Sequence, residues 1–219
     1  MPRAVAAQPR PAFARSALWG VGAFLAAGVA LFSFRYLTGG PLQGPEILAN
    51  LFAKPWLAVH VAGAATALLI APANLLPVVR RRWPAAHRRL GRVYVVACLV
   101  GAAGGLPLAF GSVAGPLTTV GLGTLSVLWA WTNVQGWRTA RARRFADHRV
   151  WMIRSFALTF AAVTFRIDLY LFPALGMRFI DGYHLTCFHC WMFNLLIAEL
   201  HLRGAFRWRR AARTLAPAV

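Results

Sequence analysis

The chain of 219 residues is 59% hydrophobic, and only 13% of its residues are charged, about half the share of a soluble domain. Its mean hydropathy of +0.56 indicates a membrane protein and excludes an ordinary soluble domain. The formal net charge is +19, but the arginines cluster between apolar runs, a pattern typical of membrane topology and not of nucleic-acid binding. We therefore expect the lipid bilayer, and no nucleic acid, as the partner.

Six apolar segments are long enough to cross a bilayer, which takes about 20 residues per helix. In chain order they are 17–37, 56–79, 91–111, 117–137, 150–172 and 183–203. The expected fold is all-α, a polytopic transmembrane helix bundle with six spans. Its parts are a basic tail (1–16), an additional first transmembrane helix (17–37), a five-helix membrane core (56–203) and a second basic tail (204–219).

The basic residues lie on alternate sides of these segments. The first tail, the loops 80–92 and 138–154, and the tail from Arg203 hold 20 of the 24 Lys and Arg residues. The loops 38–55, 112–116 and 173–182 hold only Lys54 and Arg178. Since basic loops stay on the cytoplasmic side, we expect both termini in the cytoplasm. The abundance of Arg and Ala is typical of GC-rich bacteria, so we expect a bacterial inner (plasma) membrane.

Cys98, Cys187 and Cys190 are too few for a disulfide framework, and we interpret them as packing residues. The chain shows no spacing that identifies a nucleophile or a metal site, so the catalytic residues, if any, are unknown.

Ionisable residues inside spans are candidates for function. At a rise of 1.5 Å per residue they fall into two groups near the two membrane faces. The outer group comprises His60, Arg166, Asp168, His184 and His189, and the inner group His87, His148, Glu199, His201 and several arginines.

Several of these residues have expected partners. Arg166 and Asp168 are two residues apart and point to different faces, so each should bond to another helix; for Arg166 we expect the helices of 56–79 and 183–203. His148 should meet the helix of 91–111. Asn194 is expected to bond to another helix, and Glu199 to an inner-side arginine.

Four segments resemble a known family. HRRLGRVYV (87–95) and HRVWMIRSFALTFAAVTFR (148–166) resemble two hallmark segments of the predicted membrane-protein family called domain of unknown function 2306. HVAGAATALLIAPANLLP (60–77) and WMFNLLIAE (191–199) resemble its opening and last helices, so the resemblance covers roughly residues 56 to 203. It implies motif positions at His60, His87, Arg88, Gly91, Arg92, His148, Arg149, Met152, Arg154, Arg166, Trp191, Asn194 and Glu199. His184, His189 and His201 fall outside that pattern.

The leading functional hypothesis is a b-type haem protein that moves electrons, with a quinone or another redox protein as partner. Histidines on facing helices can hold haem b, and arginines can pair with its propionates. The candidate haem-iron ligands are His60, His87 and His148, and an outer haem would need His184 or His189 as its second ligand. The further cofactor-binding candidates are Arg88, Arg92, Arg149, Arg154, Arg166, Trp191, Asn194 and Glu199.

Three alternatives stay open at this point. The first is a small-solute or proton-coupled transporter, in which Glu199 would be a proton site. The second is a membrane-embedded enzyme that acts on a lipid or quinone through the His-Arg pairs. The third is a structural membrane protein whose polar residues only fix topology and packing.

Overall fold

The structure is a computed structural model that describes residues 12–38 and 49–204. The helices in these ranges are α1 (Ala12–Ser33), α2 (Arg35–Thr38), α3 (Ala53–Leu75), α4 (Pro77–Arg82), α5 (Pro84–Phe110), α6 (Pro116–Arg141), α7 (Phe145–Ala174) and α8 (Phe179–Leu202). Neither range contains a strand, which confirms the all-α class.

Each predicted apolar segment lies on one of the long helices. Five helical segments are long and apolar enough to cross a membrane: Ser16–Thr38, Ala53–Leu75, Pro84–Phe110, Phe145–Ala174 and Phe179–Leu202. The remaining long helix, α6, has 26 residues but is less apolar because hydroxyl, amide and glycine residues recur along it. The described part of the chain is therefore an all-helical membrane protein with five candidate spans.

Two helix boundaries correct the sequence prediction. The second span ends at Leu75 and not at residue 79, because Leu76 precedes Pro77 and adopts an extended conformation. Helix α1 begins at Ala12, inside the segment predicted as the tail 1–16. Residues 1–11 and 205–219, which make up most of the two predicted tails, lie outside the described ranges.

Helices α5 and α7 begin earlier than the predicted starts at residues 91 and 150. They start at Pro84 and Phe145, so His87 and His148 lie within the first turns of these helices. Both histidines are therefore held by helical backbone and not by loops.

Helices α3, α5, α6 and α7 form a four-helix core in which each packs against two of the others. Helix α1 lies against α3 and α7, and α8 lies against α6 and α7. One hydrophobic cluster, which includes Tyr94, Trp129 and Leu158, joins the core helices. A second cluster, which includes Ala26 and Val163, attaches α1 to the core.

Helices α3 and α5 approach closely because glycine stands where they cross. A Cβ atom at Gly104 would lie 2.5 Å from the backbone nitrogen of His60 and 2.8 Å from its Cα, so no larger residue fits there. A Cβ atom at Gly101 would lie 2.8 Å from the ring of Trp129 on α6. Small residues are common where membrane helices pack, and here they press His60 against α5.

Candidate functional site

His87 and His148, in the first turns of α5 and α7, are both half-buried. The hydroxyls of Tyr94 (α5) and Ser155 (α7) are hydrogen-bonded at 2.9 Å. His87 and His148 each lie seven residues before these positions, which is about 10 Å or two turns of helix. Seven residues return a side chain to nearly the same helix face, so both imidazoles point into one layer.

The two imidazoles differ in their hydrogen bonds. His148 Nδ1 lies 2.9 Å from the backbone carbonyl of Gly136 on α6, and since a carbonyl only accepts, Nδ1–H is the donor. His87 Nδ1 is buried and has no hydrogen-bond partner among the described residues. The buried amide of Asn74, near the same end of α3, likewise lacks a partner in this part of the chain. Because buried polar groups are rarely left unpaired, these atoms mark a candidate ligand site.

The surroundings of the two imidazoles offer room and positive charge. Gly91 follows His87 by one turn, and a Cβ atom there would have no neighbour within 4 Å. Arg88, Arg92 and Arg149 are exposed near this layer, and none of them forms an ion pair within residues 12–38 and 49–204. We call this end, which carries Arg80–Arg82, the basic end, and its site the basic-end site (Asn74, His87, Gly91 and His148).

Two further residues of the basic end are bound to each other. Arg154 of α7 donates from Nε to Glu199 of α8 at 2.5 Å, and from Nη2 to the second carboxylate oxygen at 3.2 Å. The guanidinium also lies over the ring of Trp151, 4.9 Å from its centroid. The expected pairing of Glu199 with an arginine is confirmed, and the pair joins α8 to the core.

A buried hydrogen-bond network that the sequence analysis missed lies above the basic-end site. The hydroxyl of Tyr94 contacts Ser155 and also Thr159, at 2.8 Å. Trp129 donates its ring N–H to the Thr159 hydroxyl at 2.9 Å, and Ser155 donates to the Asn133 amide oxygen at 3.1 Å. One sequence pattern could have indicated this network. Ser155 and Thr159, like Trp129 and Asn133, are four residues apart, so each pair lies on one helix face.

His60 lies toward the opposite end of the core and contacts α5. Its Nδ1 is 2.7 Å from the backbone carbonyl of Gly101. A Cβ atom at Gly105 would lie 3.0 Å from this nitrogen and 3.0 Å from the Ser126 hydroxyl of α6. The ring is thus enclosed by α5 and α6 backbone and small side chains.

Arg166 and Asp168 have different helices as partners, which confirms that they do not pair with each other. Arg166 donates to Ser33 of α1 at 2.9 Å and to its own helix at Ala162, so the expectation of α3 and α8 as its hydrogen-bond partners is wrong. Asp168 is buried and accepts from His189 Nδ1 of α8 at 2.8 Å.

The remaining candidates of α8 serve packing contacts. Asn194 accepts from Thr164 at 3.1 Å and donates to the Ala157 carbonyl, which confirms its predicted bond to another helix. His184 Nε2 is 2.7 Å from the Ala114 carbonyl, and Trp191 donates within its own helix to Cys187.

Two of the sequence-predicted ligands, His87 and His148, occupy equivalent positions on α5 and α7, seven residues before the bonded pair Tyr94 and Ser155. His60, His184 and His189 each have a different partner. Among the described residues no group of three or more His, Cys, Asp or Glu side chains could hold a bare metal ion. The three cysteines are buried and unpaired, as expected of packing residues.

Comparison with known families matches residues 57–202 to the family described as "Predicted membrane protein (DUF2306)". The match covers more than half of the chain and confirms the resemblance inferred from the four segments. Comparisons with curated proteins and with solved structures find no match.

Proposed function

The chain belongs to the DUF2306 family of predicted membrane proteins, and from that premise we propose that it holds one b-type haem at the basic-end site and carries electrons. The observation that supports this proposal is the equivalent placement of His87 and His148 on two core helices, each seven residues before the hydrogen-bonded pair Tyr94 and Ser155. Helix bundles build cofactor sites from facing side chains, and imidazole is a common axial ligand of haem iron.

The hydrogen bonds of the two imidazoles favour iron ligation. A ligating histidine usually donates its other ring N–H to a carbonyl or carboxylate, which fixes its orientation. His148 has this arrangement with Gly136, so its Nε2 would be the ligand. His87 would be the second residue to hold the haem, since its buried Nδ1 has no hydrogen-bond partner among the described residues.

The surrounding residues would hold the rest of the group. Gly91 leaves open space one turn after His87, and the exposed Arg88, Arg92 and Arg149 would supply positive charge for the haem propionates. When bound, haem supplies one-electron transfer, and the protein's part is to orient it and exclude water.

The proposal includes one haem and not two. A haem near His60 would need a second ligand, but His184 is bound to Ala114 and His189 to Asp168. His60 itself is enclosed by Gly101, Gly104 and Gly105 of α5. We therefore assign His60 a packing role.

The proposed topology has six spans with both termini in the cytoplasm of a bacterium. The contacts of α6 support the sixth span. Thr119, near one end of α6, contacts Ala109, and Gly136, near the other end, contacts His148. The polar residues Asn133 and Thr132 of α6 are buried, whereas Val120, Val127, Trp131, Val134 and Trp137 are exposed. An apolar outer face and a polar face directed into the bundle are typical of a transmembrane helix that carries polar residues.

Visible spectra of the protein, purified in detergent after expression with adequate haem supply, test the proposed site. His87→Ala and His148→Ala should each abolish or shift the Soret band, because each removes one of the two residues that would hold the haem iron. The matched control is His201→Ala, an exposed histidine of the basic end, which should keep the wild-type spectrum. Identical spectra in all four proteins would refute the assignment.

A wild-type protein without a Soret band would refute the function itself. In that case pH-dependent flux in liposomes, compared between wild type and Glu199→Gln, is the measurement that tests a proton-coupled transporter.

A further inference from the structure

Arg166 is a half-buried cation of α7 with only neutral hydrogen-bond acceptors. Its Nη1 donates to the Ala162 carbonyl at 2.8 Å and its Nη2 to the Ser33 hydroxyl at 2.9 Å. Ser33 in turn donates to the Val29 carbonyl at 2.7 Å, so its oxygen is oriented as an acceptor. A guanidinium carries five N–H donors, and these contacts use two of them.

Arg35 is a second cation at the same place. It lies on α2, two residues after Ser33, the residue to which Arg166 donates. Its Nη2 donates to the Tyr36 hydroxyl at 2.9 Å, and its guanidinium lies 3.4 Å from the centroid of the Phe32 ring. Its Nε and Nη1 are buried and have no hydrogen-bond partner in the described ranges.

The acidic residues of the described ranges are all engaged elsewhere. Asp147 pairs with Arg144, Asp168 with His189, Asp181 with Arg178, and Glu199 with Arg154. The fifth acidic residue of the chain, Glu46, lies outside the described ranges. Nothing in the described structure therefore neutralises Arg35 and Arg166.

Two like charges near each other repel, and the buried donors of Arg35 without acceptors add a further cost. An anion with several oxygens would remove both costs at once. We propose that Arg35 and Arg166, together with the Ser33 hydroxyl, form a phosphate-binding site near the end of the core opposite the basic end.

The chemistry of the site favours a phosphate group in particular. Guanidinium forks match the spacing of phosphate oxygens and donate bidentate, charge-assisted hydrogen bonds. The Phe32 ring against Arg35 restricts the site on one side and orients that guanidinium. The phosphate would come from a phospholipid headgroup or from free orthophosphate, since both present the same oxygens.

Thermal unfolding of the full chain in neutral maltoside micelles tests the site. Phosphatidylglycerol, dioleoylglycerol without phosphate, and inorganic phosphate are titrated separately. A saturable rise of the Tm with phosphatidylglycerol alone identifies a lipid headgroup site, and a rise with inorganic phosphate identifies a site for the free anion. Arg166→Gln and Arg35→Gln should each raise the half-saturating concentration roughly tenfold or more, the loss expected for a charge-assisted hydrogen bond.

The controls separate this site from general attraction to a basic protein. Arg178 pairs with Asp181 on the exposed surface, an ion pair that raises the pKa of its guanidinium, and Arg178→Gln should titrate like wild type. Arg166→Lys keeps the charge but loses the forked guanidinium. This variant should fold like wild type and should bind phosphate more weakly than wild type. The proposal is overturned if no titrant shifts the Tm, if dioleoylglycerol raises the Tm as much as phosphatidylglycerol does, or if the Arg35 and Arg166 variants respond like wild type.

Discussion

At the residue scale, the buried polar side chains separate into those with complete hydrogen bonds and those without. The network of Tyr94, Ser155, Thr159, Trp129 and Asn133 is internally satisfied and ties α5, α6 and α7 together. Such a network contributes stability and a unique packing. The unpartnered atoms of Asn74 and His87 lie outside it, which is why we place the ligand there.

The network predicts that Tyr94→Phe destabilises the protein. The substitution removes a buried hydroxyl that bonds two side chains, and the expected loss is about 1 kcal/mol. This corresponds to a fall in Tm of about 2–4 °C for a chain of this size, measurable by thermal unfolding in detergent. Tyr170→Phe is the matched control, because Tyr170 is 81% exposed and its hydroxyl has no described partner. Equal Tm values for the two variants would show that the network has no stabilising role.

The sequence was enough to identify residues that bond to another helix, but often not enough to identify the partner residue. The position of Glu199 along its helix was enough to predict an arginine as its partner. The position of Asn194 was enough to predict a hydrogen bond to a neighbouring helix. The partner of Arg166 was not predictable, because the place of α1 beside α3 and α7 depends on packing that no motif encodes. The same holds for Tyr94, whose polar role depends on hydroxyls 61 and 65 residues later.

At the element scale, the contact of α3 with α5 depends on glycine. Gly104→Ala would place a methyl group against the backbone of His60, so we expect a loss of about 1–3 kcal/mol through overpacking. The measurement is the Tm of Gly104→Ala in thermal unfolding, compared with the Tm of the control variant Gly123→Ala. At Gly123 the nearest side-chain atoms are 3.9 Å from the new Cβ, so that variant should be neutral or slightly more stable. A Gly104→Ala protein as stable as its control would contradict the close approach.

The helices themselves were predictable because apolar length is a strong signal, but their ends were not. Pro77 after Leu76 breaks the helix four residues before the predicted end of the second span. Pro84 and Phe145 start α5 and α7 within arginine-rich segments that hydropathy alone assigns to loops. This difference matters for function, since it moves His87 and His148 from loops into helices.

At the scale of the whole molecule, the proposed six-span topology predicts opposite locations for the two ends of α6. Single cysteines at Val113 and Arg143 are labelled with a membrane-impermeant maleimide in intact cells. The native cysteines are buried and should give little background. Val113→Cys should react from outside, and Arg143→Cys only after permeabilisation. Reaction of both positions from the same side would show that α6 does not cross.

The central claim is that one haem lies between His87 and His148. The most direct measurement is the haem content of the purified wild-type protein, determined as the pyridine haemochromogen relative to protein, together with the reduced-minus-oxidised spectrum. We expect one haem b per chain in the wild-type protein and no haem in the His87→Ala/His148→Ala double variant. A protein that contains no haem, or that contains two, would contradict it.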